Sequence, residues 1–188
     1  MTNRLSTIVT KTGDSGTTGL ADGQRLTKNH PRICAIGEVD ELNSHIGLLV
    51  SQIQLMSSDD LQKHLDLLSQ IQHALFDLGS ELAIPGYNAL NTSVVTHIEA
   101  QIEAMLEHLP PLKEFILPGG CLQAAQAHIC RSVSRRCERT LVELNNQEPL
   151  SDLSMQLINR LSDYFFVLAR ELNRHEQRSD IFWQQNVI

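Results

Sequence analysis

The sequence predicts an all-α protein: a bundle of about five helices behind a Gly/Thr-rich N-terminal loop. Three observations predict the bundle. From residue 29 onward, apolar residues recur every three or four positions through five successive segments, the spacing of one helix face. Clusters of Pro, Gly, Asn, Asp and Ser separate those segments. No apolar/polar alternation persists long enough to make a strand, and there is no internal repeat or low-complexity linker. Aromatic residues are only 4% of the chain, so Leu, Ile, Val and Ala must build the core. At 188 residues the whole chain, 1–188, suits one domain with a core of useful size.

Residues 1–28 form the predicted loop. Segment 5–28, LSTIVTKTGDSGTTGLADGQRLTK, has no apolar period and reads as a loop or a set of turns. Its chemistry suits phosphate. Gly13, Gly16 and Gly19 permit close backbone approach, Thr10, Thr12, Thr17 and Thr18 offer hydroxyls, and Lys11 and Lys28 supply charge. GxxxxGK[ST] does not occur, so this is no Walker A motif. Composition alone leaves a nucleotide loop and a flexible N-terminal arm both open.

The helices occupy 29–173. The first opens near Asn29 or Pro31, a cap and a first-turn proline, and runs to about Met56 on Ile36, Val39, Leu42, Ile46, Leu49 and Ile53. Asp40 and Asn43 fall on its other faces, free to serve a site or an interface. The second follows the Ser-Ser-Asp-Asp run at 57–60 and carries Leu61, Leu65, Leu68, Ile71, Leu75, Leu78 and Leu82 before the break at 83–87. The third begins after Asn91-Thr92 and uses Val95, Ile98, Ile102, Met105 and Leu109, ending before Pro110-Pro111. The fourth lies within 117–144 and starts from a Pro-Gly-Gly turn. Leu122, Ala125, Ile129, Val133, Cys137, Leu141 and Leu144 mark its apolar side, and His128, Arg131, Arg135 and Glu138 the opposite one. The fifth starts at Ser151, its predicted N-cap, and buries Leu157, Ile158, Leu161, Tyr164, Phe165, Leu168 and Leu172. Asn159, Asp163, Arg170 and Asn173 hold its polar positions. The tail, 174–188, has no clear period, and Phe182-Trp183 is expected to pack onto the bundle.

Composition excludes several functions. A net charge of −7 argues against nucleic-acid binding. The four cysteines, at 34, 121, 130 and 137, make no CxxC and no zinc spacing, which points to reduced, mostly buried thiols. The N-terminus lacks an apolar signal region, and no run approaches the roughly 18 apolar residues of a membrane span, so a cytoplasmic protein is expected. No glutamate has a histidine three residues later, against a di-iron bundle, and no Ser or Cys stands in a nucleophile elbow.

What remains is the loop and an arginine cluster, Arg131, Arg135, Arg136 and Arg139, on the fourth helix. Guanidinium groups suit phosphate because their planar fork bonds oxyanions bidentately and stays charged. Glu138 among them can orient the arginines, meet a ribose hydroxyl or help hold Mg²⁺, and a plain surface ion-pair network remains the alternative. Helices alone make no nucleotide cleft. Polar faces of helices one and four meeting a neighbouring subunit would make one, with Asp40 and Arg131 as a cross-interface pair.

These residues resemble a known family. TKTGDSGTTGLADGQRLTK (10–28), GEVDELNSHIG (37–47), FILPGG (115–120), HICRSVSRRCER (128–139) and LINRLSDYFFVLAR (157–170) are similar, in order and spacing, to motifs of the ATP:cob(I)alamin adenosyltransferases of the propanediol-utilisation type. The resemblance implies a homotrimer of five-helix bundles with active sites between subunits. It implies transfer of the 5′-deoxyadenosyl group of ATP to cob(I)alamin, with triphosphate expelled and Mg²⁺ assisting, Glu138 being the metal candidate. ATP would be held by Thr10, Lys11, Thr12, Gly13, Thr18, Gly19, Lys28, Arg135, Glu138, Arg139 and Asn159, and the arginine cluster adds Arg136. Asp40 would pair with Arg131 across the subunit boundary, and Phe115 would lie below the corrin ring and help displace its lower ligand. Arg135, Asp40, Arg131 and Phe115 are therefore the catalytic candidates. Glu38 departs from the family pattern, which commonly has a small polar residue there, and is expected to alter interface charge rather than chemistry. A cobalt reductase and an adenosylcobalamin-dependent client enzyme are the implied partners. A non-catalytic corrinoid escort and a purely structural helical oligomer are the competing readings.

Overall fold

In the computed structural model, which describes residues 8–186, five long helices follow a short β-hairpin. Positions 1–7 of the expected loop and 187–188 of the tail lie outside the described residues. The hairpin pairs β1 (Thr17–Gly19) antiparallel with β2 (Arg25–Thr27), Thr18 opposite Leu26. It arises inside the segment expected to be loop alone. Threonines favour the extended backbone, and Gly23 at φ +90° makes the turn between the strands.

The helices are α1 (Pro31–Gln54), α2 (Gln62–Ala83), α3 (Ser93–Leu106), α4 (Leu122–Asn145) and α5 (Asp152–His175). α1 has Pro31 in its first turn as expected, but its cap is His30, whose Nδ1 accepts from Arg32 N at 3.2 Å, rather than Asn29. α3 ends at Leu106, short of the expected 109, although Leu109 is still buried. α5 is capped as expected by Ser151, whose hydroxyl accepts from Ser154 N at 3.1 Å. α4 packs between α1 and α5, α2 lies against α1, and α3 lies against α5. One apolar cluster runs through all five helices, with Tyr164 and Phe165 fully buried edge to face at 5.4 Å.

The face of α4 differs from the expected one. Val133, Cys137, Leu141 and Leu144 are buried as periodicity requires, but Leu122 and Ile129 are 66% and 45% exposed. Ala124, Ala127 and Cys130 are buried in their place. The small residues sit where α1 and α5 close on α4 from two sides, which lets the helix backbones approach closely. The four cysteines are free thiols, three of them buried; burial pushes the Cys130 and Cys137 thiols up to about 12. No described helix is long and apolar enough to cross a membrane.

Candidate active site

α4 begins at a turn that only glycine can make. Gly120 takes φ +108°, and a Cβ there would stand 2.0 Å from Asn173 Oδ1. Asn173, on α5, accepts from Cys121 N at 2.9 Å and donates to Gly119 O at 3.1 Å. This fixes where α4 starts and therefore which side its arginines face.

Two grooves of about 610 Å³ each open on that side. The first lies among α3, α4 and α5 and is lined by Arg131, Arg135, Arg160, Glu99 and Glu103. Arg160 is occupied by Glu99 at 2.8 Å, whereas Arg131 and Arg135 make no ion pair among the described residues. Burial, and then the nearby Arg135 charge, pulls the Arg131 pKa below the ordinary guanidinium value. Its Nε is buried without a hydrogen-bond partner. Arg131 is half-buried and Arg135 exposed, so both keep guanidinium donors free for an oxyanion, with Glu99, Glu103 and Asp163 on the same groove wall.

The second groove is lined by Phe115, Ile116, Pro118, His128 and, again, Arg131 and Phe166. Arg131 and Phe166 thus line both grooves, the first of which also holds Arg135 and the second Phe115 and Ile116. Phe115 is 81% exposed at its lip. His128 is buried at 4% exposure, not on the open polar surface that spacing implied, and its ring meets Phe166 at 6.3 Å. Burial, helped by the Arg131 charge and opposed by Asp180, pushes its pKa down to about 4, so at neutral pH it adds no third positive charge.

Beside the arginines, Asn159 donates to Glu138 Oε1 at 2.8 Å, which joins α5 to α4 and orients that carboxylate. Among the described residues no three His, Cys, Asp or Glu side chains cluster as a metal site. A single oriented carboxylate still suits Mg²⁺, which commonly takes one or two protein oxygens and completes its shell from substrate phosphates and water. Arg139 bonds the Arg135 carbonyl at 3.0 Å. Arg136 faces the other way: its Nε donates to Glu38 at 2.7 Å, and its Nη2 donates to Glu41, both on α1. The hydrogen bonds to Glu38 and Glu41 raise the Arg136 pKa, and that to Arg136 chiefly lowers the Glu41 pKa. Arg136 lines neither groove.

The N-terminal loop is shaped by its own residues. Lys28 lays its ammonium against bare Gly13, 3.1 Å from where a Cβ would stand. Lys11 adopts φ +57° and Gly16 φ +82°, and the Thr10 and Thr12 hydroxyls meet at 3.0 Å. Arg25, which the sequence reading did not single out, donates to Thr12 O at 2.7 Å and to the Thr17 hydroxyl at 2.8 Å. Only its position opposite Gly19 in a hairpin could have signalled it. The loop docks through Ala21 N on Ala83 O at the end of α2.

Loop and arginine wall do not meet within one chain. Neither groove at Arg131 is lined by Thr10, Lys11, Thr12, Gly13, Thr18, Gly19 or Lys28. Asp40 lines a separate groove between α1 and α2, with Phe76, which is 69% exposed.

A helical bundle that combines a Gly/Thr-rich loop with a groove lined by arginines beside an exposed phenylalanine belongs to a recognisable class of nucleotide-using proteins. The sequence model of the family described as cobalamin adenosyltransferase matches residues 8–172, and the chain belongs to that family. A cobalamin adenosyltransferase of Cupriavidus metallidurans is 55% identical over 185 residues, 98% of each chain. A corrinoid adenosyltransferase of Bacillus subtilis is 40% identical, covering 96% of this chain and 94% of that one. Among solved structures, a variant PduO-type ATP:corrinoid adenosyltransferase of Lactobacillus reuteri, in complex with cobalamin and ATP, superposes with a TM-score of 0.88 at 38% identity, covering 95% of this chain and 100% of that one.

Proposed function

We propose that the protein transfers the 5′-deoxyadenosyl group of ATP to the cobalt of cob(I)alamin, releasing triphosphate and adenosylcobalamin. The observation that carries this reading is the seam at Arg131 and Phe166. One groove offers a polyphosphate the guanidinium groups of Arg131 and Arg135, which make no ion pair among the described residues. The adjoining groove offers a flat macrocycle the apolar surface of Phe115, Ile116 and Phe166, and Arg131 borders both. Cobalt(I) is itself the nucleophile and attacks the 5′ carbon as the bond to the triphosphate oxygen breaks, so no protein nucleophile is required. The protein's work is to hold two large substrates in line and neutralise the charge of the leaving group.

Arg135 binds the triphosphate, with Arg139, Glu138 and Asn159 beside it. Mg²⁺, held by Glu138 and the phosphates, would supply further charge neutralisation. Thr10, Lys11, Thr12, Gly13, Thr18, Gly19 and Lys28 close over ATP from a neighbouring subunit; in support, none of them lines either groove at Arg131. The functional unit in this reading is the homotrimer that the family resemblance implies, in which Asp40 of one subunit meets Arg131 of the next. Phe115 shields the lower face of the corrin and favours loss of its axial ligand, which makes cobalt(II) easier to reduce. The protein works as a single domain in the cytoplasm, supplied by a cobalt reductase and serving an adenosylcobalamin-dependent enzyme. The test is an anaerobic assay with ATP, Mg²⁺ and reduced cobalamin, following the absorbance change on cobalt alkylation together with triphosphate release. Cofactor bound tightly with no triphosphate released would replace this reading with that of an escort.

A further inference from the structure

Segment 110–121, which carries Phe115, has no helix or strand of its own among the named elements and contains Pro110, Pro111, Pro118, Gly119 and Gly120. Such a segment holds an exposed aromatic ring in one place only if other parts of the chain fix its backbone. Three sets of bonds do so. At its start, Arg170 Nη2 donates to Pro110 O at 2.7 Å. At its end, Asn173 holds Gly119 O and Cys121 N. At its centre, Trp183 N donates to Phe115 O at 2.7 Å and Leu117 N donates to Ile181 O at 2.8 Å, on either side of an antiparallel bridge between Ile116 and Phe182.

The C-terminal tail ordinarily frays first. Here it is tied down immediately before the bridge. Asp180 accepts from Arg170 Nε at 2.8 Å, with the two side chains only 14% and 3% exposed, and Arg178 N donates to Asn173 O at 2.8 Å. Arg170 therefore grips the beginning of the Phe115 segment with one nitrogen and the root of the tail with another. Phe182 and Trp183 stay 49% and 47% exposed instead of packing onto the bundle, so the tail is held by its backbone and by Asp180 rather than by burial of its aromatic rings.

We infer that the tail at 180–183, anchored by the Arg170–Asp180 pair, is a positioning element that holds the Phe115 backbone and so sets the height and direction of that ring at the apolar groove. The inference rests on the proposed role of Phe115 toward the corrin. Displacing a reacting partner's support by about 1 Å can cost about a hundredfold in rate. The bonds from Trp183 and Ile181 are the ones nearest the ring. Arg170, Asp180 and the tail then act on the cobalt side of the reaction and leave the ATP side alone.

The test compares Trp183→Pro, which deletes the N–H that bonds Phe115 O, with Trp183→Ala, which keeps it; Phe115→Ala serves as the reference. Two quantities are read in each folded protein: the fraction of bound cobalt(II) cobalamin in the four-coordinate state, by its absorption and magnetic spectra, and the KM for ATP. Trp183→Pro is expected to lower the four-coordinate fraction several-fold further than Trp183→Ala, toward the Phe115→Ala value, with KM for ATP unchanged. Equal fractions in the two Trp183 variants would overturn the inference, as would a rise in KM matching the spectral loss. Amide hydrogen exchange at Leu117 reads the tether independently of any cofactor. About tenfold faster exchange in Trp183→Pro than in Trp183→Ala supports the tether, and equal exchange overturns it. A parent protein that never makes four-coordinate cobalt would defeat the role given to Phe115, while the exchange comparison would still decide whether the tail holds the segment.

Discussion

Gly120 and Asn173 lie so close that the glycine's missing side chain is part of the hydrogen bonding: Asn173 Oδ1 occupies the space a Cβ would need, 2.0 Å away, while it accepts from Cys121 N. Gly120→Ala therefore incurs two costs. The positive φ costs a Cβ-bearing residue roughly 1–2 kcal/mol. Displacing Asn173 loses two hydrogen bonds of about 1 kcal/mol each. The expected sum, about 3–4 kcal/mol, lowers the melting temperature by about 6–15 °C for a chain of this size. A melting curve within about 2 °C of the parent would mean that Asn173 moves aside freely.

Arg135→Ala should lower turnover by about a hundred- to a thousandfold, the usual scale for removing one group that stabilises transition-state charge. Arg135 makes no ion pair in the described structure, so the folded state loses little with it, and melting should stay near the parent value. Near-normal turnover in a folded variant would count heavily against triphosphate binding in this groove.

The helices and their boundaries were legible in the sequence because burial of a stripe imposes a period that survives without knowledge of partners. The end of α3 and the first half of the α4 face were not. Ala124, Ala127 and Cys130 are buried by two neighbouring helices, and a rule that follows large side chains selects Leu122 and Ile129 instead. In the site, the types of residue were legible and their directions were not. Arg135 and Arg136 are adjacent in sequence, about 100° apart around the helix, and so face different neighbours. One reaches the groove and the other reaches Glu38 and Glu41. Arg25 and the Asp180–Arg170 pair gave no signal because each depends on contacts made after the chain turns back on itself.

Glu38→Ser tests what Arg136 is for. With Glu38 gone, Arg136 keeps Glu41, and exposed pairs of this kind are worth about 0–1 kcal/mol. Stability should change by less than about 1 kcal/mol and KM for ATP by less than about twofold. A KM that falls by about tenfold would show that freeing Arg136 from α1 lets it join the nucleotide.

Stability should decline in mild acid. His64 is fully buried with neither ring nitrogen hydrogen-bonded, and burial first, then Lys63, pushes its pKa down to about 4; His128 is pushed down similarly. In the unfolded chain both titrate near ~6.5, so below that pH the unfolded state binds more protons and gains relative to the fold. The loss grows from about pH 6.5 down to about pH 4, where the folded state begins to take up the same protons, at a limiting slope of about 1.4 kcal/mol per pH unit for each histidine. Replacing His64 by Leu removes one of the two contributions. Denaturant midpoints measured between pH 7 and 4.5 should then fall about half as steeply as in the parent, and an unchanged slope would clear His64 of the effect.

Asp40 and Arg131 line different grooves of one chain, so their pairing requires two chains, and charge reversal can test that directly. In the proposed trimer, Asp40→Lys alone would set like charges against each other at every subunit boundary, and so would Arg131→Glu alone. Each should weaken assembly and depress activity. Combining both changes in one chain, however, makes every boundary of the proposed trimer one in which Lys at 40 faces Glu at 131, with the pair restored in reversed polarity. Light scattering should then recover the trimer mass, and the coupling energy from the cycle should be about 1–3 kcal/mol. Assembly need not restore turnover in full, because Arg131 also borders the groove assigned to triphosphate. A double variant that assembles no better than either single variant would separate the two residues and remove the subunit boundary from the site at that point.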